Sequence, residues 1–105
     1  MSRWARRVDD NQGAVVEALR KVGAFVQSLS SVGAGVPDLL VGWRGQWLLI
    51  EVKDGGKVKS ARKLTPSQQA FHAALAAQKL PVRVVESPEQ AIDALGSMVT
   101  EGRRT

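Results

Sequence analysis

The sequence predicts an α/β domain in the order helix, three strands, helix, strand, helix, with a mixed central sheet flanked by helices. Three observations predict it. Apolar residues at helical spacing open the chain and stop at Gly23. Two near-continuous apolar runs, 38–43 and 47–53, are separated by the short Gly-containing segment Arg44-Gly45-Gln46. Two helix-start signatures, Thr65-Pro66-Ser67-Gln68 and Ser87-Pro88-Glu89-Gln90, bracket a Val-rich run at 82–86.

Each element has a local cause. Between Asn11 and Val22, the residues Val15, Ala18, Leu19 and Val22 fall at i, i+3, i+4 and i+7, one face of a helix, and Gly23 can take the left-handed conformation that ends it. Ala24 to Leu29 reads as a short strand, and the small residues from Ser30 to Gly35 read as a flexible connection into Pro37. The runs 38–43 and 47–53 read as a hairpin, and their apolar character on alternate positions of both kinds predicts burial on both faces. Thr65 is a good N-cap, Pro66 suits the first helical position, and Gln68 at the third completes a capping box. That helix carries Phe71, Ala74 and Leu75 to about Lys79 before Pro81 breaks it. The strand at 82–86 is joined to the strand at 47–53 through a helix, so the two should be parallel neighbours in a right-handed crossover. A short helix with Ala91, Ile92 and Leu95 follows. Residues 1–8 and 97–105 read as flexible ends of a single 1–105 domain.

Composition narrows the class. The chain has 105 residues, 44% apolar and 24% charged, an ordinary globular make-up for one domain. A domain of this size buries roughly 60–68% of its unfolded surface, so a partner subunit would help it. There is no cysteine, which excludes disulfides, thiolate zinc sites and thiol nucleophiles. With a single histidine, a Ser/His/Asp or His-based metal site is disfavoured as well. Met1-Ser2-Arg3-Trp4-Ala5-Arg6-Arg7 leads into Asp9-Asp10 and no apolar stretch, so a cytoplasmic location is expected. Fifteen Lys and Arg against ten Asp and Glu leave a formal charge of +5. The excess is clustered at Arg3, Arg6 and Arg7, at Lys57, Lys59, Arg62 and Lys63, and at Arg103 and Arg104. Such clusters suit a phosphate backbone, although solvated tails and loops have the same look.

Three charged side chains lie in or beside the most apolar part of the chain: Asp38 at the mouth of one strand, Glu51 and Lys53 near the end of the next. Charge in such a place needs a partner or a metal. With a side-chain period of two, Trp47, Leu49, Glu51 and Lys53 share one strand face, so Glu51 and Lys53 point the same way. A hairpin that brings Asp38 alongside makes two carboxylates and an ammonium converge at a sheet edge, a donor set suited to Mg²⁺ or Mn²⁺ and not to Zn²⁺. Taken singly, each residue has a plain structural reading: an Asp capping a turn after Pro37, a Glu/Lys pair on a half-exposed strand.

Taken together, Gly35-Val36-Pro37-Asp38 and, thirteen positions on from Asp38, Ile50-Glu51-Val52-Lys53 resemble the PD-(D/E)XK signature of nucleases. With Leu64-Thr65-Pro66-Ser67-Gln68 the likeness is to the VRR-NUC branch, related to Holliday-junction resolvases and including short stand-alone phage proteins. The resemblance spans about Asp9 to Leu95. It implies a restriction-endonuclease-like core, Mg²⁺ as cofactor with Mn²⁺ as substitute, and DNA, branched or otherwise structured, as substrate for a homodimer. It also implies metal ligation by Asp38, Glu51 and the carbonyl of Val52, and a Lys53 that orients or activates the attacking water. Gln68 would then hydrogen-bond toward the site, although at the third helical position it also has a capping job. His72, one turn on, could face the same cleft but reads as a surface residue.

One departure stands out. Related resolvases carry a Glu on the first helix about eleven residues before its terminal Gly, and here that position is Gln12. A neutral amide can position water but contributes no charge; Asp10 is a nearby substitute, while Glu17 falls on another helical face. The resulting expectation is a Mg²⁺-dependent DNA endonuclease with Asp38, Glu51, Lys53, Gln68 and Gln12 at its site, and Lys57, Lys59, Arg62 and Lys63 on nucleic acid. The alternative is a DNA-binding module on the same fold that does not cut.

Overall fold

The computed structural model describes residues 10–54 and 63–103, with side chains described over 11–54 and 63–97. The elements are α1 (Asp10–Lys21), β1 (Phe25–Ser28), β2 (Leu39–Trp43), β3 (Gln46–Val52), α2 (Pro66–Ala77), β4 (Val82–Val85) and α3 (Pro88–Arg103). This is the expected order, an α/β arrangement around a mixed four-stranded sheet. The strands run β1-β2-β3-β4 across it, antiparallel between the first three and parallel between β3 and β4.

Helix α1 ends as its Gly predicts. Gly23 has φ +95°, its N–H donates to the Arg20 carbonyl, and the Ala24 N–H donates to the Leu19 carbonyl, the paired bonds of a Schellman motif. Helix α2 ends the same way with a less suited residue. Lys79 stands at φ +58°, with its N–H bonded to Ala76 and the Leu80 N–H to Leu75. A side chain in that conformation costs roughly 1–2 kcal/mol, so Lys79→Gly should stabilise the protein by about 1 kcal/mol and raise its melting temperature by ~4–8 °C in a thermal melt.

One sheet face carries the core. Val26, Leu39, Val41, Leu48, Ile50, Val52 and Val85 pack with Val15 and Leu19 of α1 and Ala91, Ala94 and Leu95 of α3. Truncating a fully buried member such as Leu19 or Ile50 to Ala costs about 2–5 kcal/mol. The opposite face departs from the expected burial on both sides. There Phe25 is 55% and Trp47 61% exposed, their rings meeting edge to face at 5.9 Å, while Leu40 and Leu49 are half-buried. The reason is that α2, which lies over this face, has no fully buried residue and reaches it mainly through Leu75, His72 and Gln68. Trp47 folds over Gly42, the residue opposite it on β2, where no Cβ stands in the way.

Two further differences are local. The hairpin turn is the two-residue Arg44-Gly45, with φ +50° and +83°, and Gln46 already pairs with Trp43; positive φ at both positions matches the right-handed strand twist. The segment from Ser30 to Gly35, expected to be flexible, is a succession of turns closed by Val32 N–H to Leu29 and Val36 N–H to Gly33. At the other end, α3 runs beyond Gly96 to Arg103, where a fraying tail was expected. Among the described residues no helix is long and apolar enough to cross a membrane.

Candidate active site

The β2–β3 hairpin closes the twelve-residue gap between the two acidic positions. Leu39 pairs with Ile50 in antiparallel register, and one step further along that register Asp38 stands across from Glu51. Pro37 is fully buried, and the Asp38 carbonyl accepts from the Leu29 N–H at 2.7 Å, which anchors the chain on both sides of the carboxylate. Asp38 Oδ2 then accepts from the Val52 N–H at 2.8 Å, docking it onto the strand between Glu51 and Lys53.

Helix α2 reaches the same point through its first turn. Gln68 does both jobs that the sequence leaves open. Its Oε1 accepts from the Thr65 N–H at 2.9 Å while its own N–H donates to Thr65 Oγ1, completing the capping box. The same Oε1 accepts from Lys53 Nζ at 3.0 Å, and Nε2 donates to Glu51 Oε2 at 3.1 Å. One amide, with two lone pairs on oxygen and two N–H groups, therefore links the helix start to the ammonium and the carboxyl.

Gly35 lets the two halves meet. It has φ +82°, and a Cβ there would overlap the Ser67 carbonyl and press on the Gln68 N–H, so only glycine allows the Val36-Pro37-Asp38 segment to lie against the start of α2.

Glu51 is 1% exposed. Burial pushes its carboxyl up to about 8; the hydrogen bond with Asp38 and the Asp38 charge add to this and outweigh the pull of Lys53. Its Oε1 is buried without a hydrogen-bond partner. An acid kept protonated beside a second carboxylate, with one oxygen lacking a hydrogen-bond partner, is short of positive charge, which a divalent cation would supply. The residues fit such an ion: Asp38 and Glu51 are hard oxygen donors, and Mg²⁺ is commonly held by one or two carboxylates with water and phosphate completing its shell. Among the described residues no three His, Cys, Asp or Glu side chains form a closed metal cage.

His72 departs from the surface position expected of it. Its side chain is 14% exposed, with Nε2 at 3.6 Å from Glu51 Oε1. Burial and the nearby Lys53 lower its proton affinity, so the imidazole is neutral near pH 7 and the contact is neither an ion pair nor, at that length, a hydrogen bond.

Gln12 lies elsewhere. It is buried on α1, and its Nε2 donates to Ser30 Oγ at 3.0 Å, bracing the turn next to Leu29 and Asp38. Among the described residues no hydrogen bond joins it to Asp38, Glu51, Lys53 or Gln68, because its neighbour Asn11 takes the face of α1 that meets the strand ends. Asn11 Nδ2 donates to the carbonyls of Lys53 at 2.7 Å and Glu86 at 3.0 Å, tying β3 to β4 where they leave the sheet. Sequence reading missed Asn11, since nothing within a few residues of it signals partners 42 and 75 positions away. The side chain of Asp10 and the basic residues Lys57, Lys59 and Arg62 lie outside the described residues. Lys63 is exposed, two positions ahead of the α2 N-cap.

A mixed sheet with paired carboxylates, a lysine and a helix-borne glutamine gathered at the end of β3 has the make-up of a nuclease-type, DNA-binding domain. The chain belongs to the VRR-NUC domain family, whose model matches residues 3–89. A solved structure described as a VRR_NUC domain is similar to it with TM-score 0.65 and 30% identity, over 83% of this chain and 91% of that one. Membership of the PD-(D/E)XK nuclease superfamily is consistent with both. No curated protein sequence matches the chain.

Proposed function

We propose that this protein is a Mg²⁺-dependent endonuclease that hydrolyses DNA phosphodiester bonds, selectively on branched or otherwise structured DNA. The observation that carries the reading is the single network joining Asp38, Glu51, Gln68 and Lys53 at the end of β3. Asp38, Glu51 and the Val52 carbonyl would hold the ion, which when bound supplies positive charge for the phosphate and activates water for attack. Lys53 Nζ, held by Gln68, is placed to offset charge that grows on the phosphate in an in-line displacement. Gln12 acts on this site through Ser30 and the Asp38 turn. The basic segment 57–63, leaving β3 just past Lys53, is the proposed contact to the DNA backbone.

Selectivity for structured DNA rests on the relation of the family to junction resolvases. A homodimer is proposed because the small core leaves Phe25, Trp47 and Val84 exposed on one sheet face, with Leu80 exposed in the connection leading into β4. Action in the cytoplasm of a bacterial or phage-infected cell follows from the same reading.

Cleavage of duplex, flap and four-way-junction DNA with Mg²⁺ and with EDTA tests the proposal. The parent should cut only with Mg²⁺. Asp38→Ala should bind DNA as well as the parent or better without cutting, since it loses a ligand and also a negative charge facing phosphate. Lys53→Ala should lower kcat more than it raises KM. Activity that survives EDTA or the loss of Asp38 would overturn the metal-dependent site, and DNA binding without cleavage of any of these substrates in Mg²⁺ would return the protein to a binding module.

A further inference from the structure

The metal-site reading leaves His72 unused: its buried Nε2 faces the buried Glu51 Oε1 at 3.6 Å, and neither atom has a hydrogen-bond partner. Buried polar atoms are almost always paired, so a facing pair of orphans marks an interaction that another state of the site completes. Helical spacing makes the pairing specific. Gln68 and His72 are four residues apart on one face of α2, and Gln68 already donates to the other oxygen, Oε2.

We propose that His72 is a positioning residue for Glu51, its Nε2–H donating to Oε1 so that α2 holds both oxygens of the carboxylate when the carboxylate ligates a divalent cation. A closure of about half an ångström brings the pair to hydrogen-bond length. Donors behind a ligating carboxylate fix its orientation, and their loss commonly weakens metal binding about 10–100-fold. The imidazole acts on the ion through Glu51, because a hard cation prefers oxygen ligands and Nε2 is spent on the carboxylate. The neutral ring carries its proton on Nε2 in this arrangement, the tautomer set by the group it faces.

The inference rests on Glu51 being a metal ligand, and the test separates the two. Mn²⁺ binding to the full-length chain without DNA is measured by calorimetry for the parent, Glu51→Gln, His72→Leu and His72→Gln, together with the Mg²⁺ concentration giving half-maximal cleavage. His72→Leu should weaken Mn²⁺ binding about 10-fold or more and raise the Mg²⁺ requirement in proportion. His72→Gln, whose amide N–H reaches a similar point, should recover most of that loss. Parental affinity in His72→Leu, or equal losses in the Leu and Gln variants, overturns the role of His72 while leaving the metal site intact. Absence of Mn²⁺ binding by the parent, or parental binding by Glu51→Gln, overturns the metal site and the inference with it.

Discussion

Glu51→Gln is expected to abolish cleavage and, in the same preparation without metal, to raise thermal stability at alkaline pH. The two effects have one cause. The variant keeps the shape and hydrogen-bonding length of the side chain and removes its charge, so the proposed metal ligand is lost and the rate should fall on the order of 10³-fold or more. In the folded parent the Glu51 carboxyl is raised from 4.5 to about 8, by burial first and by Asp38 next, with Lys53 opposing. Below pH 4.5 both folded and unfolded states hold this proton, and the contribution of the neutral buried acid is fully present. Between pH 4.5 and 8 the unfolded state releases the proton and the folded state keeps it, so stability falls as pH rises; above 8 the buried charge is uncompensated.

A glutamine has no proton to lose. The melting temperature of Glu51→Gln in EDTA should therefore match the parent near pH 4.5 and exceed it by ~10 °C or more at pH 9, a difference of about 2–4 kcal/mol. Added Mg²⁺ should stabilise the parent at that pH and leave the variant unchanged. Parallel melting curves for the two proteins across pH 5–9 would show that Glu51 is not held as an acid.

Gly35→Ala is expected to produce the second large effect, although residue 35 carries no chemistry. Its positive φ is strained for alanine, and the added Cβ overlaps the Ser67 backbone, which cannot rotate away as a side chain could. Together these should cost about 2–4 kcal/mol, lowering the melting temperature by ~10 °C or more. The strain can be relieved only by parting the Asp38 loop from the start of α2. That separates Gln68 from Glu51 and Lys53, so cleavage per folded molecule should fall as well. A variant that melts lower but cuts at the parental rate would show that the site tolerates movement of α2.

Much of this protein is written in short stretches of its sequence. The stop of α1 at Gly23, the capping box from Thr65 to Gln68 and the strand alternation that aims Glu51 and Lys53 to one side depend on residues within about four positions of one another. Asp38 and Glu51 were legible together because a hairpin is itself local, and its register follows from a short turn. Even there the turn was misjudged by one residue, since the positive φ accepted by Arg44 leaves no trace in residue type.

What only the tertiary structure decided is how α1 and α2 meet the sheet. The sequence contains His72, Asn11 and Gln12, but whether a helical side chain faces a carboxyl, a strand end or a serine depends on the rotation and height of the helix as packed. That rotation is set by contacts far away in the chain: Val15 and Leu19 seating α1 on the core, and the Gly35–Ser67 approach seating α2 over Glu51. Sequence periodicity names the face of a helix that will be buried; it does not say which residue of that face arrives opposite which atom. Here that difference separates Gln12, braced on Ser30, from Asn11, tied to Lys53, and brings His72 to Glu51.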